Sequence, residues 1–263
     1  MKSMLLAALI AYVISCILIY FGQRNLLYFP PPSDMNLDTT KVSFTNNGIE
    51  LRGWVVNPQQ DKALLYYGGN AESIEQNIPL FQNMLPNYSV YLIPYRGYGE
   101  SMGKPTEKDL YSDALHIYDQ VIVQHKNISL LGRSLGSGIA TYVAASRRIK
   151  SLILVTPYDS IENVAKSIYW MFPVSLLLKD KYDSLAHVAQ IKTQPLILMA
   201  EYDQVIPRKH SENLISAFGK QQQSVIVKRA GHNDISDYPE YANLIYQYLI
   251  SDSHYPNSET DMR

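Results

Sequence analysis

The sequence predicts an α/β fold with a mostly parallel sheet flanked by helices, and three observations support it. Short apolar segments of strand-forming residues alternate with helical patterns, which is typical of βαβ units. The chain has 263 residues, and without its apolar N-terminus it has the length of one ordinary domain rather than two. A G-x-S-x-G sequence follows one strand and precedes a helix of small residues.

The elements are expected to follow one another in a simple order. An opening hairpin pairs residues 41–45 with residues 49–56 through an Asn47-Gly48 turn, because both turn residues tolerate positive φ. Further strands are expected at 63–67, in the apolar run before Gly132, and at 151–155, 195–200 and 224–227. Helices are expected near 73–84, 106–124, 137–146, 160–170, 208–218 and 238–249.

Residues 1–24 are predicted to form an N-terminal transmembrane anchor, and residues 25–263 one folded domain with a polar tail at 252–263. Residues 4–21 are about eighteen nearly uncharged residues, which at ~1.5 Å per residue cross a bilayer core. Flanking Lys2 and Arg24 give little direction by the positive-inside rule. The short N-terminal tail favours a cytoplasmic N-terminus, so we expect a single-pass membrane protein with its folded domain outside the cytoplasm.

Three alternatives to an uncleaved anchor stay open. A cleaved signal peptide has a similar composition, although no small-residue cleavage site precedes a polar start. Residues 13–16 (VISC) are similar to a bacterial lipobox, in which Cys16 would carry lipid, although residues 17–21 stay apolar. The segment is also compatible with a buried helix of the folded domain.

Composition excludes several classes of function. The formal net charge of -1 lacks the basic excess of nucleic-acid-binding proteins, so no nucleic-acid partner is expected. Cys16 is the single cysteine, which excludes an internal disulfide framework. No Cys/His cluster has the spacing of metal ligands, and we expect neither a metal nor a cofactor.

Ser134 is the candidate nucleophile. Residues 128–136 read ISLLGRSLG, an apolar strand that runs directly into the motif. In a nucleophile elbow the serine sits on a turn so tight that its neighbours two residues away must be small, and Gly132 and Gly136 meet that demand. A plain glycine-serine turn is the alternative, but the flanking strand and helix favour the elbow.

A serine hydroxyl becomes a nucleophile when a histidine takes its proton and a carboxylate orients that histidine. Asp203 and His232 each follow one of the last two predicted strands, in the chain order that this fold class uses. Because the carboxyl ends of parallel strands meet at one sheet edge, the three groups are expected to converge there. Asp159 and Glu201 are alternatives for the acid.

Five other histidines compete with His232 for the role of base. Only His232 follows a strand and a flexible glycine. The others fall in helical or loop patterns or in the polar tail, and each is expected to be a solvated surface residue: His116, His125, His187, His210 and His254.

The oxyanion of a tetrahedral intermediate needs backbone N–H donors. The N–H of Leu135, directly after the nucleophile, is one candidate. The glycine-rich segment at 68–73, after the strand at 63–67, is expected to supply the second. An ordinary strand-to-helix connection has the same pattern and is the alternative.

With these residues in place, the chain resembles the α/β-hydrolase superfamily, and within it the small abhydrolase-domain serine hydrolases with an N-terminal membrane anchor. That group usually has His-Gly-Asn-Ala-Gly where this chain has GGNAE at 68–72. The segment PYRGYGESMGKP at 94–105 is similar to its Asp-Tyr-Arg-Gly-Tyr-Gly-x-Ser-x-Gly-x-Pro. Two departures are Gly68 in place of histidine and Pro94 in place of aspartate.

The resemblance implies an α/β-hydrolase fold with an eight-stranded type of sheet and a minimal lid. It also implies that Ser134, Asp203 and His232 form the catalytic triad and that Asn70 is the second oxyanion donor. The predicted activity is hydrolysis of carboxylic esters or thioesters through an acyl-enzyme. The expected partners are a small-molecule or lipid-like acyl substrate and, through the N-terminal helix, a membrane. A serine peptidase with the same triad, or a catalytically silent membrane-anchored binding protein, is the alternative.

About forty residues separate the strand ending near Val155 from the strand starting at Pro195. This short segment predicts a small lid and a fairly open active site. Its apolar residues at 169–172 and 176–178 are interpreted either as core or as a rim that contacts acyl chains or lipid. The anchor is expected to be dispensable for the chemistry, because every candidate catalytic group follows Gly68.

Overall fold

The computed structural model describes residues 1–32, 37–220 and 222–251, so the predicted tail at 252–263 lies outside the described residues. The strands are β1 (Thr40–Asn46), β2 (Ile49–Val56), β3 (Lys62–Tyr67), β4 (Tyr88–Leu92), β5 (Asn127–Arg133), β6 (Ser151–Val155), β7 (Leu196–Tyr202) and β8 (Gln223–Gly231). The helices are α1 (Lys2–Leu27), α2 (Ile78–Met84), α3 (Glu107–Val121), α4 (Leu135–Ser146), α5 (Ile161–Ile168), α6 (Val174–Leu177), α7 (Leu185–Val188), α8 (Arg208–Phe218) and α9 (Pro239–Ile250).

The sheet is mostly parallel, as predicted. Its strand order is β1-β2-β4-β3-β5-β6-β7-β8. The pairings of β2 with β1 and with β4 are antiparallel, and all the others are parallel. The carboxyl ends of β5, β7 and β8 therefore meet at one edge, which is where open α/β sheets bind ligands.

Two apolar layers hold the helices on the sheet. On one face, Leu65 of β3 belongs to a buried cluster with Ile139 of α4. On the other face, Leu64 belongs to a buried cluster with Phe81 of α2 and Ile245 of α9. Successive residues of a strand point to opposite faces, so consecutive leucines serve both layers. Strands covered on both faces read as continuous apolar runs, which is the pattern that the sequence shows.

Most predicted elements are present with shifted boundaries. The hairpin turn has φ of 51° at Asn47 and 76° at Gly48, as a tight two-residue turn requires. The helix expected at 73–84 is divided into a 3₁₀ turn, Ile74–Asn77, and α2. The pattern does not predict α6 and α7, because four-residue helices are too short to show a hydrophobic period.

Helix α1 differs from the predicted anchor in its end and in its contacts. It continues past the expected boundary after residue 24 as far as Leu27. Gln23 is buried, with its Nε2 donating to the carbonyl of Leu177 at 2.8 Å and its Oε1 accepting from the N–H of Lys179 at 2.7 Å. The last turns of α1 therefore pack against the folded domain and do not form a separate anchor.

Most of the remainder of α1 is exposed and apolar, while residues 15, 16 and 19 are half-buried. It is long and apolar enough to cross a membrane, and a signal sequence near the N-terminus would meet the same test. A helix without a polar face is more typical of a membrane span than of a helix lying on a bilayer surface. α1 is thus a candidate span whose C-terminal turns belong to the folded domain.

A buried ion pair fixes the segment between β4 and α3. Arg96 Nε donates to Asp113 Oδ2 at 2.7 Å, and its Nη2 donates to Oδ1 at 2.5 Å. Both side chains are only 7% exposed. Asn46 Nδ2 also donates to Asp113 Oδ1 at 2.8 Å. These contacts join β1, α3 and the loop after β4.

Asp113→Ala should lower the free energy of unfolding by about 3 kcal/mol, because it removes the buried carboxylate of Arg96 and leaves only the more exposed Asp109, at 3.5 Å from Nη1. Asp61→Ala is the control: it removes a pair with Lys126 in which the side chains are 74% and 75% exposed, and it should change stability very little. Chemical denaturation of both variants measures the difference. Equal stabilities would contradict the structural role of the Arg96–Asp113 pair.

Candidate active site

Ser134 lies on a strained turn between β5 and α4. Its φ of 49° and ψ of -117° are rarely adopted by residues other than glycine, and its N–H donates to the carbonyl of Val155 at 2.9 Å. A Cβ on Gly136 would lie 2.0 Å from the carbonyl oxygen of Tyr67, and one on Gly132 would lie 2.4 Å from the carbonyl oxygen of Gly136. The turn requires glycine at both positions, as the motif predicts.

Ser134, His232 and Asp203 form a continuous chain of hydrogen bonds. His232 Nε2 lies 2.9 Å from Ser134 Oγ, and His232 Nδ1 lies 2.8 Å from Asp203 Oδ2. The other carboxylate oxygen of Asp203 accepts from the N–H groups of Val205 and Ile206 at 2.9 and 2.8 Å, which orients Oδ2 toward the imidazole. The side chains of His232 and Asp203 are only 7% and 9% exposed, so their contact is shielded from water.

The two alternative acids have other partners. Asp159 is fully buried, and its Oδ1 lies 2.9 Å from Nδ1 of His210. Glu201 accepts from a backbone N–H of β8 at 2.8 Å, on the exposed side of the sheet edge. Of the three candidate carboxylates, Asp203 is the one that the structure brings to His232.

The expectation that the other histidines are solvated is wrong for two of them. His210 is 3% exposed, and its Nε2 lies 3.1 Å from Ser167 Oγ. His125 is 7% exposed, with its Nε2 2.8 Å from the hydroxyl of Tyr91. Both rings are buried because each ring nitrogen has a polar partner. His254 lies outside the described residues. Within the part of the chain that the structure describes, no group of three or more His, Cys, Asp or Glu residues is placed to hold a metal ion.

The glycine-rich loop after β3 lies directly beside Ser134. A Cβ on Gly69 would come within 3.7 Å of the Ser134 Cβ. The N–H of Gly69 is occupied, since it donates to Glu72 Oε2 at 2.5 Å. Asn70 and Leu135, the two expected oxyanion donors, line the same groove as Ser134. The N–H of Leu135 is in the first turn of α4, where backbone donors have no partner within the helix.

An ion pair between Arg133 and Glu72 links three loops of the site. Arg133 Nη1 lies 3.4 Å from Glu72 Oε1, and the two side chains are 11% and 12% exposed. Arg133 Nη2 donates to the carbonyls of His232 and Asn233 at 3.2 and 2.9 Å. Glu72 Oε1 also accepts from the Tyr66 hydroxyl at 2.5 Å. Burial, together with the negative charge of Glu72, raises the pKa of Tyr66 well above its ordinary value, so this hydroxyl remains a donor.

Sequence reasoning missed this network, although both residues stand out. Arg133 directly precedes the nucleophile, and Glu72 stands where the resembled group usually has glycine. Neither position predicts the contact, because the two residues are far apart in the chain and meet only through the pairing of β3 with β5.

A groove of about 530 Å³ leads to Ser134. Ile19 and Leu26 of α1 line it, as do residues of α5, α6 and the segment between them. Asn70 connects the glycine-rich loop beside Ser134 to the end of α1, since its Nδ2 donates to the carbonyl of Leu27 at 2.6 Å. The short lid and the N-terminal helix both contribute to the groove, so α1 shapes the access to Ser134 in a way that the sequence does not predict.

Comparison with known proteins identifies the family. A family model described as the alpha/beta hydrolase fold matches residues 62–177, which contain the glycine-rich loop and the nucleophile motif. An uncharacterized protein of Mycobacterium tuberculosis is 30% identical over 251 residues, which cover 89% of each chain. The chain belongs to the α/β-hydrolase family. Protein Bem46 of Schizosaccharomyces pombe is similar to this α/β hydrolase at 25% identity over 273 residues, covering 93% of this chain and 91% of Bem46.

Solved structures confirm the α/β-hydrolase fold. An esterase of Pyrococcus furiosus matches with a TM-score of 0.68 at 16% identity, covering 84% of this chain and 96% of the esterase. An alpha-beta hydrolase of Vibrio vulnificus matches with a TM-score of 0.65 at 22% identity, covering 81% of this chain and 82% of its own. The fold and the resemblance predicted from the sequence are both confirmed.

Glu72→Ala should lower the free energy of unfolding by about 3 kcal/mol, because it leaves the buried Arg133 guanidinium without its carboxylate. Glu100→Ala is the matched control, since Glu100 is 49% exposed and pairs at 3.6 Å with the half-exposed Arg52. Urea unfolding of the two variants compares them directly. A loss no larger than that of the control would show that the Arg133–Glu72 pair does not hold the loops together.

Proposed function

We propose that this α/β hydrolase is a serine hydrolase that cleaves carboxylic esters or thioesters through an acyl-enzyme. The observation that carries the proposal is the hydrogen-bonded chain from Ser134 Oγ through His232 to Asp203. A hydroxyl, an imidazole and a carboxylate in this order activate the hydroxyl for attack on a carbonyl carbon. The esterase of the same fold is consistent with this chemistry.

In the proposed acylation, Ser134 Oγ attacks the carbonyl carbon and its proton passes to His232 Nε2. Asp203 accepts the Nδ1–H, keeps the imidazole in the tautomer that accepts at Nε2, and stabilises the imidazolium. The tetrahedral intermediate expels the alcohol or thiol, which takes the proton from His232. Water then repeats the sequence on the acyl-enzyme, releases the carboxylic acid and restores the Ser134 hydroxyl.

The oxyanion is proposed to accept hydrogen bonds from the N–H groups of Leu135 and Asn70. The position of the Asn70 backbone is supported by its side chain, whose Oδ1 accepts from the Tyr98 hydroxyl at 2.7 Å and whose Nδ2 donates to Leu27. Donors that are held in place before the reaction cost no reorganisation when negative charge develops. Each such donor contributes about 10²–10³-fold to the rate in comparable enzymes.

Ser134→Ala should abolish both labelling by a fluorophosphonate probe and turnover of a short ester, while circular dichroism stays that of the folded protein. The hydroxyl is the group that would bond to the probe, and the smaller alanine leaves the elbow without a new clash. Full turnover in this variant would remove the nucleophile from the proposal.

Absence of labelling in the unaltered protein would favour the silent binding protein instead. A panel of esters, thioesters and aminoacyl amides of graded acyl length then separates an esterase from a peptidase.

Asp203→Asn should lower kcat by about 10⁴-fold, because an amide at this position favours the wrong imidazole tautomer. Asp159→Asn should lower the melting temperature, since it disturbs the buried contact with His210, but it should leave kcat within a few-fold of the unaltered value. Glu201→Gln serves as a surface control and should change neither. Steady-state kinetics with thermal unfolding test all three, and a larger kcat loss in Asp159→Asn would mean that the acid is misassigned.

A further inference from the structure

The N-terminal helix presents one side to the groove that ends at Ser134. Its half-buried or buried positions recur at helical spacing, at residues 15, 16, 19, 22, 23 and 27, while its other sides are exposed. Ile19, Leu26 and Leu27 line the groove itself. The contact with the folded domain is therefore built along the part of α1 that also shapes the route to the nucleophile.

The groove suits a hydrocarbon chain. Among its lining residues in the described part of the chain there is no charged side chain. The amides of Gln23 and Asn70 are already bonded to backbone groups of the protein, so they offer little to a polar ligand. The volume of about 530 Å³ lies within the range of roughly 300–1,000 Å³ that is usual for ligand pockets.

The uncharged segment at residues 168–178 (IYWMFPVSLLL), called the cap segment below, also lines the groove and contacts α1 at Tyr12 and Gln23. Trp170 and Leu176 are 79% and 81% exposed, and Ile168, Tyr169 and Met171 are about half exposed or more. Clustered exposed apolar side chains mark a surface that contacts lipid or protein. Trp and Tyr are also the residues that favour the membrane–water interface.

Contacts with α1 set the depth of the cap segment. The Tyr12 hydroxyl donates to the carbonyl of Met171 at 2.8 Å, and the Tyr12 ring stacks on Phe172 with centroids 5.8 Å apart. Tyr12 lies about 18 Å from Arg24 along the helix, at ~1.5 Å per residue. Half of a bilayer's hydrocarbon core is roughly 15 Å thick. With Arg24 at the edge of the hydrocarbon core, a spanning α1 therefore places Tyr12, and the part of the cap segment that it contacts, near the middle of the bilayer.

Charged residues lie at the ends of the apolar stretches of both α1 and the cap segment. Arg24 Nε pairs with Asp180 Oδ2 at 2.9 Å, and Lys179 Nζ lies 4.0 Å from the centroid of the Tyr20 ring. Between Lys2 and Arg24 the sequence of α1 has no charged residue, and Lys179 directly follows the uncharged cap segment. The polar boundaries of α1 and of the cap segment thus lie side by side, as they would at one membrane surface.

We propose that the substrate is a membrane-resident ester or thioester of a long-chain fatty acid, whose acyl chain enters sideways from the bilayer between α1 and the cap segment, in the stretch around Ile19 that lies between their contacts at Tyr12 and at Gln23. This inference rests on the proposed hydrolase function and adds its substrate class and route. The acyl chain occupies the groove with its carbonyl carbon at Ser134. α1 is then part of the acyl-binding wall, and Ile19 determines whether a long chain can pass.

Ile19→Trp in the full-length protein tests the route, because the larger ring narrows the groove. The rate on 4-nitrophenyl palmitate in mixed micelles should fall at least tenfold relative to the rate on 4-nitrophenyl butyrate. Leu18→Trp is the matched control, since Leu18 is 68% exposed on another side of α1, and its ratio should equal that of the unaltered protein. An unchanged ratio in Ile19→Trp, or equal changes in both variants, would overturn the proposal.

Tryptophan fluorescence tests the depth of the cap segment without relying on activity. The chain has two tryptophans, and Trp54 is fully buried whereas Trp170 is exposed. In phosphatidylcholine vesicles brominated on the acyl chains, the unaltered protein should be quenched strongly. Trp170→Phe, which retains Trp54, should be quenched little. Equal quenching of the two proteins would show that the cap segment does not enter the bilayer, and the sideways route would be abandoned.

Different results would refute the route of the acyl chain and the hydrolase function. Fluorophosphonate labelling of Ser134 together with an unchanged palmitate-to-butyrate ratio in Ile19→Trp refutes the route and leaves the hydrolase function standing. Absence of labelling in the unaltered protein refutes the proposed function, and the acyl-substrate inference falls with it. Quenching of Trp170 would in that case still locate the cap segment in the membrane.

Discussion

The buried guanidinium of Arg133 connects the three loops whose mutual position the site depends on. It pairs with Glu72 in the loop after β3, it donates to the backbone at His232 after β8, and it directly precedes Ser134 in the chain. Each of these loops leaves a different strand, so the sheet alone fixes them only approximately. Hydrogen bonds to a charged group are strong where water is largely excluded. They can therefore hold the loops in the positions that the hydrogen-bonded chain from Ser134 through His232 to Asp203 requires.

A second serine–histidine–aspartate arrangement shows that residue types alone do not make a nucleophile. Ser167, His210 and the buried Asp159 are linked at 3.1 and 2.9 Å, much like the chain at Ser134. Ser167 lies within helix α5, however, and its hydroxyl donates to a backbone carbonyl of its own helix at 2.8 Å. Ser134 instead stands on a strained turn at the floor of a groove. The two arrangements differ because a substrate carbonyl carbon can reach Ser134 through the groove. The arrangement of Ser167, His210 and Asp159 instead connects α5 to α8.

Asn70 couples the N-terminal helix to the loop beside the nucleophile. Its side chain bonds the carbonyl of Leu27 and the N–H of Phe29, at the end of α1, and also the hydroxyl of Tyr98. Its backbone belongs to the loop from which an oxyanion donor is proposed. The position of α1 therefore affects the wall of the groove and the placement of that donor together. This explains physically why a helix that reads as a simple anchor in the sequence is part of the site.

The sequence by itself determined the α/β class, most elements and the positions of Ser134, Asp203 and His232 at strand ends, because these follow from local patterns of burial, turn chemistry and chain order. The position of Asp203 at the end of a strand favours it over Asp159, and the structure brings Asp203 to His232. Only the tertiary structure decided the Arg133–Glu72 pair, the buried histidines and the part of α1 in the groove. Each of these depends on contacts between segments far apart in the chain, and a local pattern carries no information about which distant surface will cover it.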